Sequence, residues 1–286
     1  MKNYELKEKI GQGGFAEVFR AVDVSTGREV ALKKISLRKA SAKGLSQERV
    51  LREVEIHQKL SNSGHPNIVQ QYEYFQDSAC VYVVLEFCSH GDLRKYLQKK
   101  NHRPFDEPTA ARIVDQISHG IKHLHDKKVI HRDLSMANVL ITRIDPITVK
   151  LCDFGLSALE KPKGERHYTM CGTPDYISPE VAMKAAHGSA VDIWAIGVIL
   201  YTLLTGSYPF KSGDRQEISE TLRKIIAGEH RARDLSATSG ISEEARDLIA
   251  QCMDPNPSKR PDIAGMTTVM RIKHNAVGRC NYAGVG

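Results

Sequence analysis

The sequence predicts an α+β protein whose first third is rich in strands and whose remainder is mainly helical. Strand patterns recur through the first ~88 residues, with one helical pattern among them. From Gly91 onward the apolar residues recur at helical spacing. A chain of 286 residues has the length of one large domain or of two closely coupled lobes, and it can bury a sizeable core.

Strands and one helix account for the first third of the chain. The strand patterns occupy residues 4–14, 15–23, 29–35, 67–77 and 80–88. The first two flank a glycine cluster, which is the signal for a hairpin. Residues 45–60 predict one long amphipathic helix. The apolar positions on the face of this helix are Val50, Val54, Ile56 and Leu60.

Helical patterns dominate the rest of the chain. Residues 105–128 and 242–253 predict amphipathic helices, and the second begins with a Ser cap and early acidic residues. The apolar run IWAIGVILYTLL at 193–204 has 12 residues, whereas a membrane span needs about 20. We therefore expect a helix that is buried on all sides. The Gly-rich end, 271–286, is expected to be a flexible tail.

Composition sets broad limits on location and partners. Six widely spaced cysteines without a C-x-x-C pair indicate a reducing compartment, the cytosol or nucleus. The first ten residues lack the apolar core of a signal peptide. The net charge of +7 favours encounters with anions such as ATP. A nucleic-acid binder would need aromatic residues among its basic ones, and the densest basic stretch, 33–43, has none. We therefore expect no specific nucleic acid and no membrane as a partner.

The glycine cluster GQGGFAEV (11–18) lies between the first two predicted strands. Glycines there let the backbone approach phosphate oxygens, although Gly-rich hairpins without a ligand are common. Ala16 stands where the pattern G-x-G-x-x-G has its third glycine. Lys33, at the end of the third strand, could reach the phosphates if Glu53 on the predicted helix holds its ammonium group.

The segment HRDLSMAN followed by DFG at 153–155 predicts phosphoryl transfer. Asp133 suits the base that orients and accepts the hydroxyl proton. Asn138 and Asp153 offer the hard oxygen ligands that Mg²⁺ prefers. Thr173, in CGTPDYISPE, is expected to bond Asp133 and to shape the site for a Ser or Thr hydroxyl.

A second expectation from CGTPDYISPE concerns stability. Glu180 at its end is expected to form a buried ion pair with Arg260. We expect this pair to be structural rather than catalytic.

Together these motifs resemble those of the eukaryotic protein kinase family over about residues 4–270. The resemblance implies a two-lobe fold, with an N-lobe at 4–86, a hinge at 86–91 and a C-lobe at 92–270. It implies ATP and Mg²⁺ as cofactors, with Leu85 as the gatekeeper. The nucleotide contacts that it implies are Ile10, Gly11, Gln12, Gly13, Gly14, Phe15, Ala16, Val18, Ala31, Lys33, Leu85, Glu86, Phe87, Cys88 and Leu140.

The strings GQGGFAEV, HYTMCGTPDYISPE and AAHGSAVDIWAIG are similar to those of polo-like kinases. Ser135 stands where most serine/threonine kinases have a lysine, and the fourth, Sak-type branch also has a small hydroxyl residue there. Members of that branch control centriole duplication, so the resemblance implies Ser/Thr protein substrates, trans-autophosphorylation and a cytoplasmic, centriolar location. The polo-box domains of that branch have no counterpart in these 286 residues. We therefore expect the chain to be either a piece of a longer kinase or a kinase of another lineage.

Ser135 and Thr169 carry further expectations from the resemblance. A serine at 135 supplies a shorter, neutral donor, which is expected to bond Asp133 or the incoming hydroxyl. Thr169 matches the activating phosphorylation position. Arg132, and secondly Arg49, are the expected partners of its phosphate.

Two polar residues are unexpected in this resemblance. His57 and Gln71 fall in an apolar column that passes through Phe154. We expect them either to bond each other, loosening the active arrangement, or to be solvated.

The main alternative to an active kinase is a pseudokinase scaffold, which would lack one of the five catalytic groups. None is lost: Lys33, Glu53, Asp133, Asn138 and Asp153 are all present. Tyrosine specificity is disfavoured by GTPDY.

Overall fold

The structure is a computed structural model that describes residues 3–160, 167–210, 218–229, 235 and 240–266. The chain divides into two compact units, Met1–Ser89 with Leu151–Gly155, and His90–Lys150 with Leu156–Gly286. The first is rich in strands and the second is mainly helical, so the predicted α+β class is confirmed. The expected tail at 271–286 lies outside the described residues.

A five-stranded antiparallel sheet in the order β1-β2-β3-β5-β4 forms most of the first unit. Its strands are β1 (Tyr4–Gln12), β2 (Ala16–Asp23), β3 (Glu29–Ser36), β4 (Gln71–Gln76) and β5 (Cys80–Glu86). The expected start of β4 at 67–70 is not in the sheet. Instead the Val69 N–H donates to the Leu151 carbonyl at 2.9 Å, and the Leu151 N–H donates to the Asn67 carbonyl at 2.9 Å. This backbone pairing attaches the DFG segment to the first unit.

Two helices follow β3, α1 (Leu37–Ala42) and α2 (Gln47–Ser61). The six-residue α1 was not predicted, because its pattern is too short to show a period. Ser46 caps the start of α2, and its hydroxyl accepts the Arg49 N–H. All four apolar positions predicted for its inner face are buried, and Val50 and Val54 pack in one cluster with Ala16 and Ile35 of the sheet.

The second unit contains six helices among its described residues. They are α3 (Leu93–Lys99), α4 (Glu107–Asp126), α5 (Pro179–Ala182), α6 (Ala190–Thr205), α7 (Ile218–Ala227) and α8 (Glu243–Cys252). The short strands β6 (Val129–Ile130) and β9 (Ala158–Leu159) pair with each other, as do β7 (Val139–Ile144) and β8 (Ile147–Leu151). The single-turn 3₁₀ helices are Met136–Asn138, Pro174–Tyr176 and Pro257–Lys259.

α6 is the central helix of the second unit. It is buried from Val191 to Leu204, as the uninterrupted apolar run predicts. It ends at Gly206, whose φ of 75° places it in the left-handed region that favours glycine. Within the described parts of the chain, no helix combines the length and apolar character that crossing a membrane requires.

Candidate active site

Lys33 is the centre of a charged group in the first unit. In β3 it pairs with Val18 on one side and Val83 on the other. Its ammonium donates to Glu53 Oε1 at 2.9 Å and to Asp153 Oδ1 at 3.1 Å. Burial alone would lower the pKa of Lys33, but the carboxylates of Asp153 and Glu53 outweigh burial and raise this pKa above its ordinary value. Lys33 therefore stays charged at neutral pH.

The DFG segment requires two particular backbone features. Asp153 has a φ of 60°, in the left-handed region that residues with a side chain rarely adopt. A Cβ on Gly155 would lie only 3.1 Å from Glu53 Oε2. Glycine at 155 thus leaves room for the carboxylate that holds Lys33. The sequence alone does not indicate this need for a glycine, because the close approach of Glu53 is set by tertiary packing.

The loop between β1 and β2 closes through a hydrogen bond from the Gly13 N–H to the Ala16 carbonyl at 2.8 Å. A Cβ on Gly14 would overlap only the ammonium of Lys43, an exposed and flexible side chain that can move aside. Ala16 is 8% exposed and packs in the core with Val50 and Val54. The departure from G-x-G-x-x-G has a structural reason here, because the Ala16 methyl group fills the core beneath the loop.

The other expected nucleotide contacts lie on both units. In the register of the sheet, Ala31 is paired with Leu85, and Leu85 with Gln71. On the second unit, Leu140 forms an isolated antiparallel bridge with Asp92. The remaining contacts expected on the first unit are Ile10, Gly11, Gln12, Phe15, Val18, Glu86, Phe87 and Cys88.

The expected bond between His57 and Gln71 is not formed, and neither side chain is solvated. His57 is 6% exposed, and its Nε2 donates to the Val69 carbonyl at 2.8 Å. Its ring packs against Phe154 with centroids 4.7 Å apart. Burial lowers the pKa of His57 to about 4, and the positive charge of Lys33 acts in the same direction. The ring is therefore neutral, and the carbonyl satisfies its N–H.

Gln71 is only 2% exposed, and both polar atoms of its amide lack a hydrogen-bond partner within the described residues. Gln71 is therefore a polar residue in the apolar column, as predicted. Its expected partner, His57, bonds the backbone carbonyl of Val69 instead. An unsatisfied buried amide destabilises the fold by about 1–3 kcal/mol.

Asp133 in the second unit is oriented from both sides. Its Oδ1 accepts the Thr173 N–H and the Thr173 hydroxyl, each at 2.8 Å. The Asn138 amide donates to the Asp133 carbonyl at 2.8 Å and to Oδ2 at 3.1 Å. These bonds fix the carboxylate plane and leave acceptor capacity on Oδ2.

Asp192 of α6 holds the segment before Asp133, and sequence reasoning missed it. Its two carboxylate oxygens accept the N–H groups of His131 and Arg132, each at 2.9 Å. His125 Nε2 lies 2.8 Å from Asp192 Oδ2. Burial alone would raise the pKa of Asp192, but the bond to His125 and the charges of the neighbouring histidines lower it. The sequence did contain a signal for this role, namely a single acidic residue at the start of an apolar helix. Burying its charge without a partner would destabilise the fold, so a partner is expected.

Ser135 differs from its expectation. It is 1% exposed, and its hydroxyl makes no hydrogen bond within the part of the chain that the structure describes. The expected bond to Asp133 is not formed, and the donors to the two carboxylate oxygens are Thr173 and Asn138 instead. The Ser135 carbonyl, by contrast, accepts the Asn138 N–H at 3.0 Å.

Thr169 is exposed, on a segment anchored at both ends. On one side, His167 and His187 exchange backbone hydrogen bonds at 3.3 and 3.0 Å. On the other, a Cβ on Gly172 would lie 2.8 Å from the Arg132 carbonyl oxygen. Arg49, the second expected phosphate partner, is exposed on α2 of the first unit.

The predicted structural ion pair is present. Arg260 donates to the two carboxylate oxygens of Glu180 at 2.7 and 2.8 Å, and both residues are buried.

The two expected Mg²⁺ ligands have the required chemistry. Asn138 uses its amide nitrogen for Asp133, and its Oδ1 accepts no hydrogen bond among the described residues. The Asp153 side chain is 49% exposed, and one of its oxygens bonds Lys33. An amide oxygen and a carboxylate oxygen are each hard donors of the kind that Mg²⁺ prefers.

Comparison with known proteins gives one family. The model of the protein kinase domain matches residues 4–272. The serine/threonine-protein kinase PLK4 of Danio rerio is 41% identical over 266 residues, 93% of this chain. PLK4 of Drosophila grimshawi is 42% identical over 257 residues, 90% of this chain. PLK4 of Xenopus laevis is 39% identical over 265 residues, 93% of this chain.

These relatives are much longer than this chain. The aligned region covers 27% of the Danio rerio protein, 32% of the Drosophila grimshawi protein and 26% of the Xenopus laevis protein. The chain thus corresponds to about a third or less of each relative.

Proposed function

The chain belongs to the protein kinase family, and we propose that it is the catalytic domain, about residues 4–270, of a serine/threonine kinase of the Sak-type polo-like branch. It transfers the γ-phosphate of ATP to Ser and Thr hydroxyls of proteins. The observation that carries this proposal is the orientation of Asp133, whose Oδ1 accepts two bonds from Thr173 and whose Oδ2 faces one donor, Asn138.

Each charged group has one role in the transfer. Lys33, fixed by Glu53 at 2.9 Å, binds the α- and β-phosphates of ATP. Asp133 Oδ2 accepts the proton of the substrate hydroxyl while the hydroxyl oxygen attacks the γ-phosphorus of ATP. The new O–P bond forms while the bond to the β-phosphate oxygen breaks, and ADP leaves with that oxygen.

Asn138 and Asp153 are the residues that would hold Mg²⁺, which when bound offsets negative charge on the phosphates. Asn138 also keeps Asp133 in position through its amide N–H, so its two ends serve the metal and the base separately.

Similarity to the relatives supports further proposals about regulation and location. We infer that Thr169 is phosphorylated by a second copy of the kinase, since it is exposed on the chain's surface and matches the activating position. A role in centriole duplication and the cell cycle, with a cytoplasmic and centriolar location, is supported by similarity to PLK4 proteins alone.

Transfer of labelled γ-phosphate from Mg-ATP to matched Ser, Thr and Tyr peptides tests the substrate class. We expect labelling of the Ser and Thr peptides and none above background of the Tyr peptides. Labelling of none of them, with ATP still bound, would favour the pseudokinase alternative.

Trans-autophosphorylation needs a separate assay. Wild-type protein should label Thr169 of the inactive Asp133→Asn variant, and it should leave the double variant with Thr169→Ala unlabelled at this position.

A further inference from the structure

His187 is a buried histidine that the proposed transfer does not use. It lies between α5 and α6, is 4% exposed, and its Nε2 has no hydrogen-bond partner within the described residues. Its Nδ1 lies 3.2 Å from the Ala185 carbonyl oxygen. Because a carbonyl only accepts, the neutral ring carries its hydrogen on Nδ1 and has a bare Nε2. A group that bonds this nitrogen would recover the cost of leaving it buried and unpaired.

Arg132 provides a positive charge close to this imidazole. Burial lowers the pKa of His187, and the charge of Arg132 lowers it further, whereas the Ala185 carbonyl and the Glu180 carboxylate act in the opposite direction. Arg132 is held through its Nε, which donates to the Leu156 carbonyl at 2.7 Å. Its two terminal nitrogens form no hydrogen bond or ion pair with the rest of the described chain, so its guanidinium keeps a donor fork available.

The Glu180 carboxylate, which acts on the pKa of His187, does not neutralise the charge of Arg132. Both oxygens of Glu180 accept hydrogen bonds from Arg260, at 2.7 and 2.8 Å. Among the described residues a further titratable neighbour is His167, whose ring centroid lies 5.9 Å from that of His187. The surroundings of His187 Nε2 are therefore cationic or neutral, which favours an anion.

The chain holds Thr169 near both groups. His167, two residues before it, is hydrogen-bonded to the backbone of His187, and Gly172, three residues after it, packs on the backbone of Arg132. Because two residues span at most about 7 Å and three about 11 Å, Thr169 cannot leave this neighbourhood while the anchors hold.

We infer that His187 is a phosphate-binding residue, whose Nε2 bonds the phosphate of phosphorylated Thr169 together with the Arg132 guanidinium. The inference rests on the proposed function, which supplies that phosphate. The dianion stabilises the imidazolium, so His187 takes up a proton from solvent and donates from Nε2 in a charge-assisted bond. Phosphorylation thereby ties the segment around Thr169 to the loop that precedes α6.

The direct test is to titrate His187 and monitor it by NMR of ¹⁵N-labelled protein. Two forms are compared, one with threonine at position 169 and one with phosphothreonine incorporated there during translation. His187→Gln identifies the His187 signals by their loss. We expect phosphorylation to raise the pKa of His187 by about one unit or more, and to leave the chemical shifts of the His123 ring on α4 unchanged. A His187 pKa that does not rise would overturn the inference.

An activity measurement separates this inference from the proposed function, because the incorporated phosphothreonine needs no catalysis. Phosphorylation should activate wild type and His123→Gln equally, and His187→Gln about tenfold less. A raised pKa in a protein without transfer activity would retain the inference and refute the proposed function. Equal activation of folded His187→Gln would refute the inference while the kinase function stands.

Discussion

The Lys33 ammonium lies 2.9 Å from the Glu53 carboxylate, joining strand β3 to helix α2 across 20 positions of sequence. Asp153 takes a second bond from the same ammonium at 3.1 Å. The geometry of Lys33 therefore depends on a helix and on the DFG segment at once.

Replacing Glu53 by glutamine should lower kcat about 10- to 100-fold, because an ammonium held by one carboxylate is less well placed for the phosphates. Steady-state transfer to a Ser/Thr peptide measures the effect. Glu55→Gln is the matched control, since Glu55 is exposed on the same helix. Equal losses in the two variants would contradict the special role of Glu53.

Replacing Ser135 by alanine should keep kcat within about twofold and raise the free energy of unfolding by about 1 kcal/mol, because it removes a buried hydroxyl without a partner. Ser118→Ala on α4 is the control, since its hydroxyl is also buried and unpaired among the described residues. A tenfold loss of kcat in Ser135→Ala, without such a loss in Ser118→Ala, would show that the Ser135 hydroxyl takes part in the transfer.

Ser135→Lys should give a sharp loss of folded, active protein. Charge alone would suggest that a lysine restores a donor to the γ-phosphate. However, position 135 is 1% exposed, and an unpaired ammonium cannot be buried there cheaply. The yield of soluble protein and its thermal unfolding, compared with Ser135→Ala, measure this. Full activity with wild-type stability would show that the lysine reaches solvent or phosphate.

Gln71→Leu should raise the free energy of unfolding by about 1–2 kcal/mol, because a leucine of similar volume removes two unsatisfied amide atoms from the column with Phe154. Urea unfolding measures the change. Gln70→Leu serves as the control and should destabilise, since the Gln70 amide bonds the Gln71 carbonyl at 3.1 Å. An unchanged or lowered stability of Gln71→Leu would contradict the proposed cost.

Stability should depend on pH through His57. Its imidazole takes up a proton near pH 6.5 in the unfolded chain and only near pH 4 in the folded one. The stability that the neutral ring contributes is complete above pH 6.5 and is lost as the pH falls toward 4, by up to about 3 kcal/mol. Urea unfolding of wild type and His57→Gln at several pH values tests this. The same slope in both would exclude His57 as the cause.

Much of the first unit could be predicted because its periods are clear. The five strands and the inner face of α2 follow from alternation and helical spacing, and Lys33 and Glu53 follow from their order after the glycine loop. The register that pairs Leu85 with Gln71 could not be predicted, because it is set by how the strands pack in the folded protein. So is the choice of Val69, rather than Gln71, as the partner of His57.

The second unit shows the same division. The motif predicted that Thr173 bonds Asp133, because their residue types imply complementary roles. The burial of Ser135 was not predictable, since serine is found mostly on surfaces. His187 carries no sequence signal of its own, and only its backbone pairing with His167 reveals it.

The most direct test of the central claim, that Asp133 is the base of an ATP-dependent Ser/Thr kinase, is the single-turnover rate of γ-phosphate transfer by Asp133→Asn. Asparagine keeps the shape but cannot accept the proton. The rate should fall by about 10²- to 10⁴-fold while ATP affinity stays within about twofold of wild type. Transfer at the wild-type rate by purified Asp133→Asn would contradict the account.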